Sequence, residues 1–131
     1  MRTKLLFLLL ALAALAPACS RGAPDLELER REMDLGSMPN GEVREFQVEV
    51  RNVGTGVLQI EAVSTSCGCT TARVEPSEIE PGASGTLYVT FDSGTHGPEM
   101  VGSVTRQVFI ASNDPREPEV TFTFTAEVTK P

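Results

Sequence analysis

The sequence predicts an all-β fold, an antiparallel β-sandwich with Greek-key connections, and three observations carry that expectation. From Asp25 onward apolar and polar residues alternate with period two, the spacing at which successive side chains reach opposite faces of a strand. Segments rich in Gly, Pro and Asn separate the alternating runs. No segment keeps a 3.6-residue apolar period long enough to make an amphipathic helix.

Taken in order, the runs begin with Leu26 and Leu28, which alternate with acids. Phe46, Val48 and Val50 alternate with Glu45, Gln47, Glu49 and Arg51; Leu58 and Ile60 repeat the pattern. Leu87, Val89 and Phe91 are set against Thr86, Tyr88 and Thr90. The last run is the clearest, with Val120, Phe122, Phe124, Ala126 and Val128 facing one way and Thr121, Thr123, Thr125 and Glu127 the other. Between the runs lie Pro39-Asn40-Gly41, Asn52 to Gly56, Pro81-Gly82, Thr95 to Pro98 and Asn113-Asp114-Pro115. Gly and Asn accept positive φ there and Pro pre-sets φ near −65°, so each segment suits a tight turn or loop. Six to eight short strands across residues 25–131 make one sandwich domain. With no tryptophan and no widely spaced cysteine pair between strands, an antibody-type core is excluded, and the interior is expected to close on Phe46, Phe91, Phe109, Phe122 and Phe124 with the aliphatic residues.

The chain starts with Arg2 and Lys4, then an unbroken apolar run from Leu5 to Leu15, then Ala16-Pro17-Ala18-Cys19. As a helix that run would reach ~17 Å, short of the ~30 Å apolar core of a bilayer. Residues 1–18 therefore read as a signal peptide and residues 19–24 as a short tether. Ala16-Pro17-Ala18 satisfies the A-x-A cleavage rule, and the segment also resembles a bacterial lipobox with Cys19 as the lipid-modified first residue. Leu15 one place too early and Pro17 within the box depart from the lipobox pattern. Lipidation would account for a lone cysteine at the new N-terminus of an exported chain. The expectation is an exported envelope protein, lipid-anchored to a membrane through Cys19 or else plainly secreted.

Cleavage would leave 9 basic and 18 acidic residues, a formal charge of −9. Without a basic patch to displace counterions from phosphates, nucleic acid is not an expected partner. An envelope protein is, though the sequence does not name it.

Three blocks carry a resemblance: "MDLGSMPNGEVREFQVEVRNVGTGVLQIEAVSTSCGCTTA", "IEPGASGTLYVTFDS" and "ASNDPREPEVTFTFTAEV". In this order they resemble the bacterial family of domains of unknown function numbered 1573, which is similar to the Ig-like modules grouped with major sperm protein and the ASH and HYDIN domains. The resemblance spans about Leu26 to Val128 and implies an Ig-like sandwich of about seven strands on exported bacterial proteins, often lipoproteins. It implies no reaction. The segment Ser93 to Ser103 is longer than the compact hairpin link more usual in that pattern.

Cys67 and Cys69 are the residues most able to carry chemistry. In an extended strand residues i and i+2 share a side with Cα atoms ~6.6 Å apart, near the limit for a disulfide, and Gly68 can shorten that span. Closing so small a loop stabilises by about 1.6 kcal/mol at most. Three readings stay open: a loop clamp or buried thiols, a redox pair, and a soft-metal site for Cu(I) or Zn²⁺ with His96 and Met100 as further ligands. Against redox, the pair lacks the helix N-terminus of thioredoxin-like sites; against zinc, there is one histidine.

His96 belongs to a surface loop and is either simply solvated or functional, and Met100 beside it suits an apolar loop contact. Arg30 and Arg31 are expected on an early strand, balancing Glu27, Glu29 and Glu32. The row Thr121, Thr123 and Thr125 is either an edge open to strand addition or an ordinary solvent-facing row. No hydrolase, metalloprotease, phosphate-binding or dinucleotide motif is present, so the sequence predicts a non-enzymatic module with no cofactor.

Overall fold

Backbone pairing turns the alternating runs into two stacked sheets. The computed structural model describes residues 22–131; the signal segment and Cys19 lie outside the described residues. Nine strands follow in chain order: β1 (Leu26–Leu28), β2 (Glu32–Pro39), β3 (Val43–Asn52), β4 (Leu58–Thr65), β5 (Thr70–Glu75), β6 (Glu78–Ile79), β7 (Ser84–Asp92), β8 (Gly102–Ser112) and β9 (Glu119–Thr129). One sheet has the order β1-β3-β7-β5 and the other β2-β9-β8-β4-β6. Among the described residues β8 and β9 form the one hairpin between consecutive strands, and the other links cross over, as the Greek-key expectation requires.

The count of nine reduces to the expected seven for a simple reason. β1 and β2 are one extended path that changes sheets at Glu29 to Arg31, and β6 is only two residues long. Continuing in one direction after pairing antiparallel with β3, the path meets β9 running the same way, so β2 and β9 are parallel. The sandwich is therefore not wholly antiparallel. A bulge between Asp34 and Ser37 is accommodated by Gly36 at φ 70°, with the Gly36 N–H donating to Asp34 Oδ1 at 2.8 Å.

Val48, Val50, Leu87, Val89 and Phe91 line the inner face of the first sheet; Leu58, Val108, Ile110, Val120, Phe122, Phe124 and Val128 line the second. Burying each such side chain contributes about 1.5–3 kcal/mol. Phe124 stands edge-on to both Phe46 and Phe91, with ring centroids 5.3 Å apart in each pair, and so ties the two sheets together.

Phe109 does not join them. Val108 and Ile110 occupy the inward positions of β8, and the period of two then sends Phe109 to the outer face, opposite Ser64 and Thr121. The threonine row does face outward, but β9 lies between β2 and β8 and offers no edge. Arg30 and Arg31 sit in the sheet-changing link rather than on a strand. Arg30 pairs with Glu29, and Arg31 binds Glu117 through two parallel hydrogen bonds of 2.8 and 2.7 Å.

Candidate functional site around Cys67, Cys69 and His96

Strand directions sort the loops to two ends of the sandwich. β1 enters beside Asn52, so the chain's entry, the β3–β4 turn, the β6–β7 turn and the β8–β9 turn share one end. The β2–β3 turn, the β4–β5 loop and the β7–β8 loop share the other, and these carry Cys67, Cys69 and His96.

Local hydrogen bonds fix the sulfur loop, Ser66 to Cys69. The Ser66 N–H donates to the Gln107 carbonyl at 2.9 Å, and Ser66 Oγ accepts from the Gln107 N–H at 3.0 Å. Thr65 Oγ1 donates to the carbonyls of Cys67 and Thr70, both at 3.0 Å, and the Asp92 N–H donates to the Cys69 carbonyl at 2.9 Å. The loop is thus held to β8 on one side and β7 on the other. Gly68 draws the Cα atoms of Cys67 and Cys69 to 5.3 Å, and the two sulfurs are paired as a disulfide.

The β7–β8 loop is positioned separately. Asn40 Nδ2 donates to the carbonyls of Gly97 and Met100, each at 2.9 Å, and Ser93 Oγ donates to Pro39 and Glu42 at 3.0 and 2.9 Å. Gly94 packs so closely on Gly41 that a Cβ there would come within 2.9 Å of the Gly41 Cα. This long segment therefore folds back over the end of the sandwich and brings His96 Nε2 to 3.7 Å from Cys67 Sγ.

Cys67, Cys69 and His96 each offer a ligand atom, and these atoms lie within 4.8 Å of one another. Their environments differ. Cys69 is 3% exposed, Cys67 is half-buried and His96 is exposed. Met100 packs against the edge of the hydrophobic core. The arrangement suits soft chemistry at sulfur: metal capture by the reduced pair, or thiol exchange by the oxidised one.

One residue of the site escaped the sequence reading. Arg106 Nε donates to Cys69 Sγ at 3.1 Å, from a position on β8 that shares its face with the buried Val104 and Val108. A charged residue at an inward position of an alternating strand was the available signal. At the opposite end of the molecule, a concavity of about 590 Å³ is bordered by Gly56, Gln59, Glu80 and Asn113, and none of the sulfur-site residues lines it.

With this geometry in view, likeness to known proteins is informative. Residues 26–128 match the family model described as protein of unknown function (DUF1573). The chain belongs to the DUF1573 family. No curated protein matches it in sequence. It is similar to the crystal structure of a protein of unknown function from Porphyromonas gingivalis W83, at 29% identity and a TM-score of 0.70, covering 85% of this chain and 50% of that one. The chain thus spans half the length of that relative. The ASH/PapD-like domain 7 of human CEP192 is similar at 14% identity and a TM-score of 0.60, covering 83% and 88% of the two chains. The YadV chaperone gives 12% identity and a TM-score of 0.58, covering 79% and 52%. These last two show the Ig-like, PapD-like sandwich as a fold and nothing further.

Proposed function

We propose that this protein is an exported bacterial envelope protein, anchored by lipid at Cys19, that works as a non-enzymatic Ig-like binding or scaffold module. The observation that carries the reading is the placement of its two ends. Leu26 enters beside Asn52, whereas the Cys67 and His96 loops lie at the far end of strands such as the ten-residue β3. At ~3.4 Å per residue, β3 alone spans ~34 Å. A tether at Cys19 would hold the entry end toward the membrane and present the sulfur end to partners. Labelling growing cells with a fatty-acid probe tests the anchor: label on the wild type and none on Cys19→Ser is expected, and an unlabelled wild type retires it.

A second reading, a copper-binding or thiol-redox protein, is favoured by the convergence of Cys67, Cys69 and His96. Anaerobic Cu(I) titration of the reduced protein tests its copper branch. Stoichiometric binding that is lost in Cys67→Ser and Cys69→Ser supports that branch, and no binding removes it.

A further inference from the structure

Seven arginines lie among the described residues, and six of them pair with carboxylates. Arg106 is the exception. It makes no ion pair among the described residues, and its Nε points at a sulfur that is almost fully covered. On its exposed side the guanidinium donates from Nη1 to the Thr105 carbonyl at 2.8 Å, while its Nε–H meets only a neutral disulfide sulfur, a weak acceptor. The same guanidinium interacts strongly once that sulfur carries negative charge. A cation at Cys69, by contrast, would meet like charge at close range.

From this asymmetry we infer that the Cys67–Cys69 disulfide is an exchangeable one, reduced by a dithiol, with Cys67 as the attacked sulfur and Cys69 as the leaving group. The inference rests on the second reading above and takes its thiol branch. A thiolate of the incoming dithiol attacks Cys67 Sγ, the more exposed sulfur of the pair. A mixed disulfide forms between the dithiol and Cys67, the Cys67–Cys69 bond breaks, and its electron pair leaves on Cys69 Sγ beside Arg106. The second thiolate of the dithiol then attacks its own sulfur in the mixed disulfide and expels Cys67 as a thiolate, whose sulfur accepts the Cys69 N–H at 3.0 Å. Two electrons have passed to the cysteine pair, and the dithiol is left as a disulfide. The reverse sequence, in which the reduced pair meets a partner's disulfide, reduces that disulfide and restores the Cys67–Cys69 bond. The ordered loop matters because both sulfurs keep their neighbours throughout: Ser66 stays pinned to Gln107 and Cys69 to Asp92.

The experiment treats the full chain with dithiothreitol under native conditions and follows Cys67 and Cys69 by alkylation, read peptide by peptide. Ready reduction of the wild type is expected, with Arg106→Gln about tenfold slower because the leaving thiolate loses its cation. Arg106→Lys, which keeps the charge, should stay within about threefold of wild type. Reaction with glutathione disulfide then locates the attacked sulfur. Cys67 in Cys69→Ser should form the mixed disulfide about tenfold faster than Cys69 in Cys67→Ser. That comparison leaves Arg106 in place, so it decides the matter even if Arg106→Gln fails to fold. A wild-type pair inert to excess dithiothreitol, an unchanged rate in Arg106→Gln, or faster modification of Cys69 each overturns the inference. Inert exchange together with Cu(I) binding leaves the copper branch of the second reading standing, whereas inert exchange without Cu(I) binding retires the second reading as well.

Discussion

Where the chain enters the sandwich, Asn52 and Asp114 are 0% and 2% exposed, and both direct their polar atoms at backbone. Asn52 Nδ2 donates to the carbonyls of Gly56 and Ile79 at 2.7 and 2.9 Å, and its Oδ1 accepts from Asp25 and Gly54. Asp114 accepts from the N–H groups of Leu26, Arg116 and Glu117. At the opposite end a guanidinium faces sulfur and an exposed imidazole leans on Cys67. Both ends close the same two sheets, yet the first satisfies buried polar groups with fixed backbone partners. The second brings together groups whose charge or bonding can change. The contrast separates polar residues that hold the fold from those free to carry chemistry.

Breaking Asn52 or Asp114 should therefore cost stability, and breaking the sulfur pair should not. Asn52→Ala strands two buried carbonyls and removes an acceptor for two N–H groups, and a loss of about 3 kcal/mol is expected from urea unfolding. A loss below about 1 kcal/mol would show that water replaces the amide and that the two ends differ less than described.

Asp114→Asn comes next, at about 2 kcal/mol near neutral pH. Burial alone would raise the Asp114 carboxyl, but the backbone donors Leu26, Arg116 and Glu117, with the Arg116 charge, outweigh it and hold the group below the usual aspartate range. Its contribution is thus fully present above the unfolded value of about 4 and is lost as pH falls through the lower folded value. The stability gap between wild type and Asp114→Asn should close on acidification; a gap independent of pH would sink the assignment.

The smallest effect is expected for Cys67→Ser combined with Cys69→Ser, because the closed loop is so short that its removal should cost about 1 kcal/mol or less. A much larger loss by urea unfolding would mean that the pair is a staple of the fold, and the distinction between the ends would blur.

How far the sequence could be read differs from element to element. In β7 and β9, and in β3 from Phe46 to Val50, the apolar residues alternate without interruption, and the faces are legible there. β8 was harder because its period is broken twice, by Arg106 at an inward position and Phe109 at an outward one, and Phe109 was drawn into the core as a result. β2 and β5 are edge strands with few buried side chains, so they leave a weak alternation. Pairing of β2 with β9 joins the two extremes of the domain, and nothing in the local pattern of either strand announces a parallel neighbour.

The site divides in the same way. Cys67 and Cys69 stand two positions apart, so their meeting follows from short-range geometry and a flexible glycine. His96 reaches Cys67 across 29 residues and Arg106 reaches Cys69 across 37. By itself, the amino-acid order determined which side chains enter the interior, because alternation is a property of each strand alone. Which groups surround the sulfurs was decided only by the tertiary structure, since strand order, register and the path of the β7–β8 loop depend on pairing between distant segments.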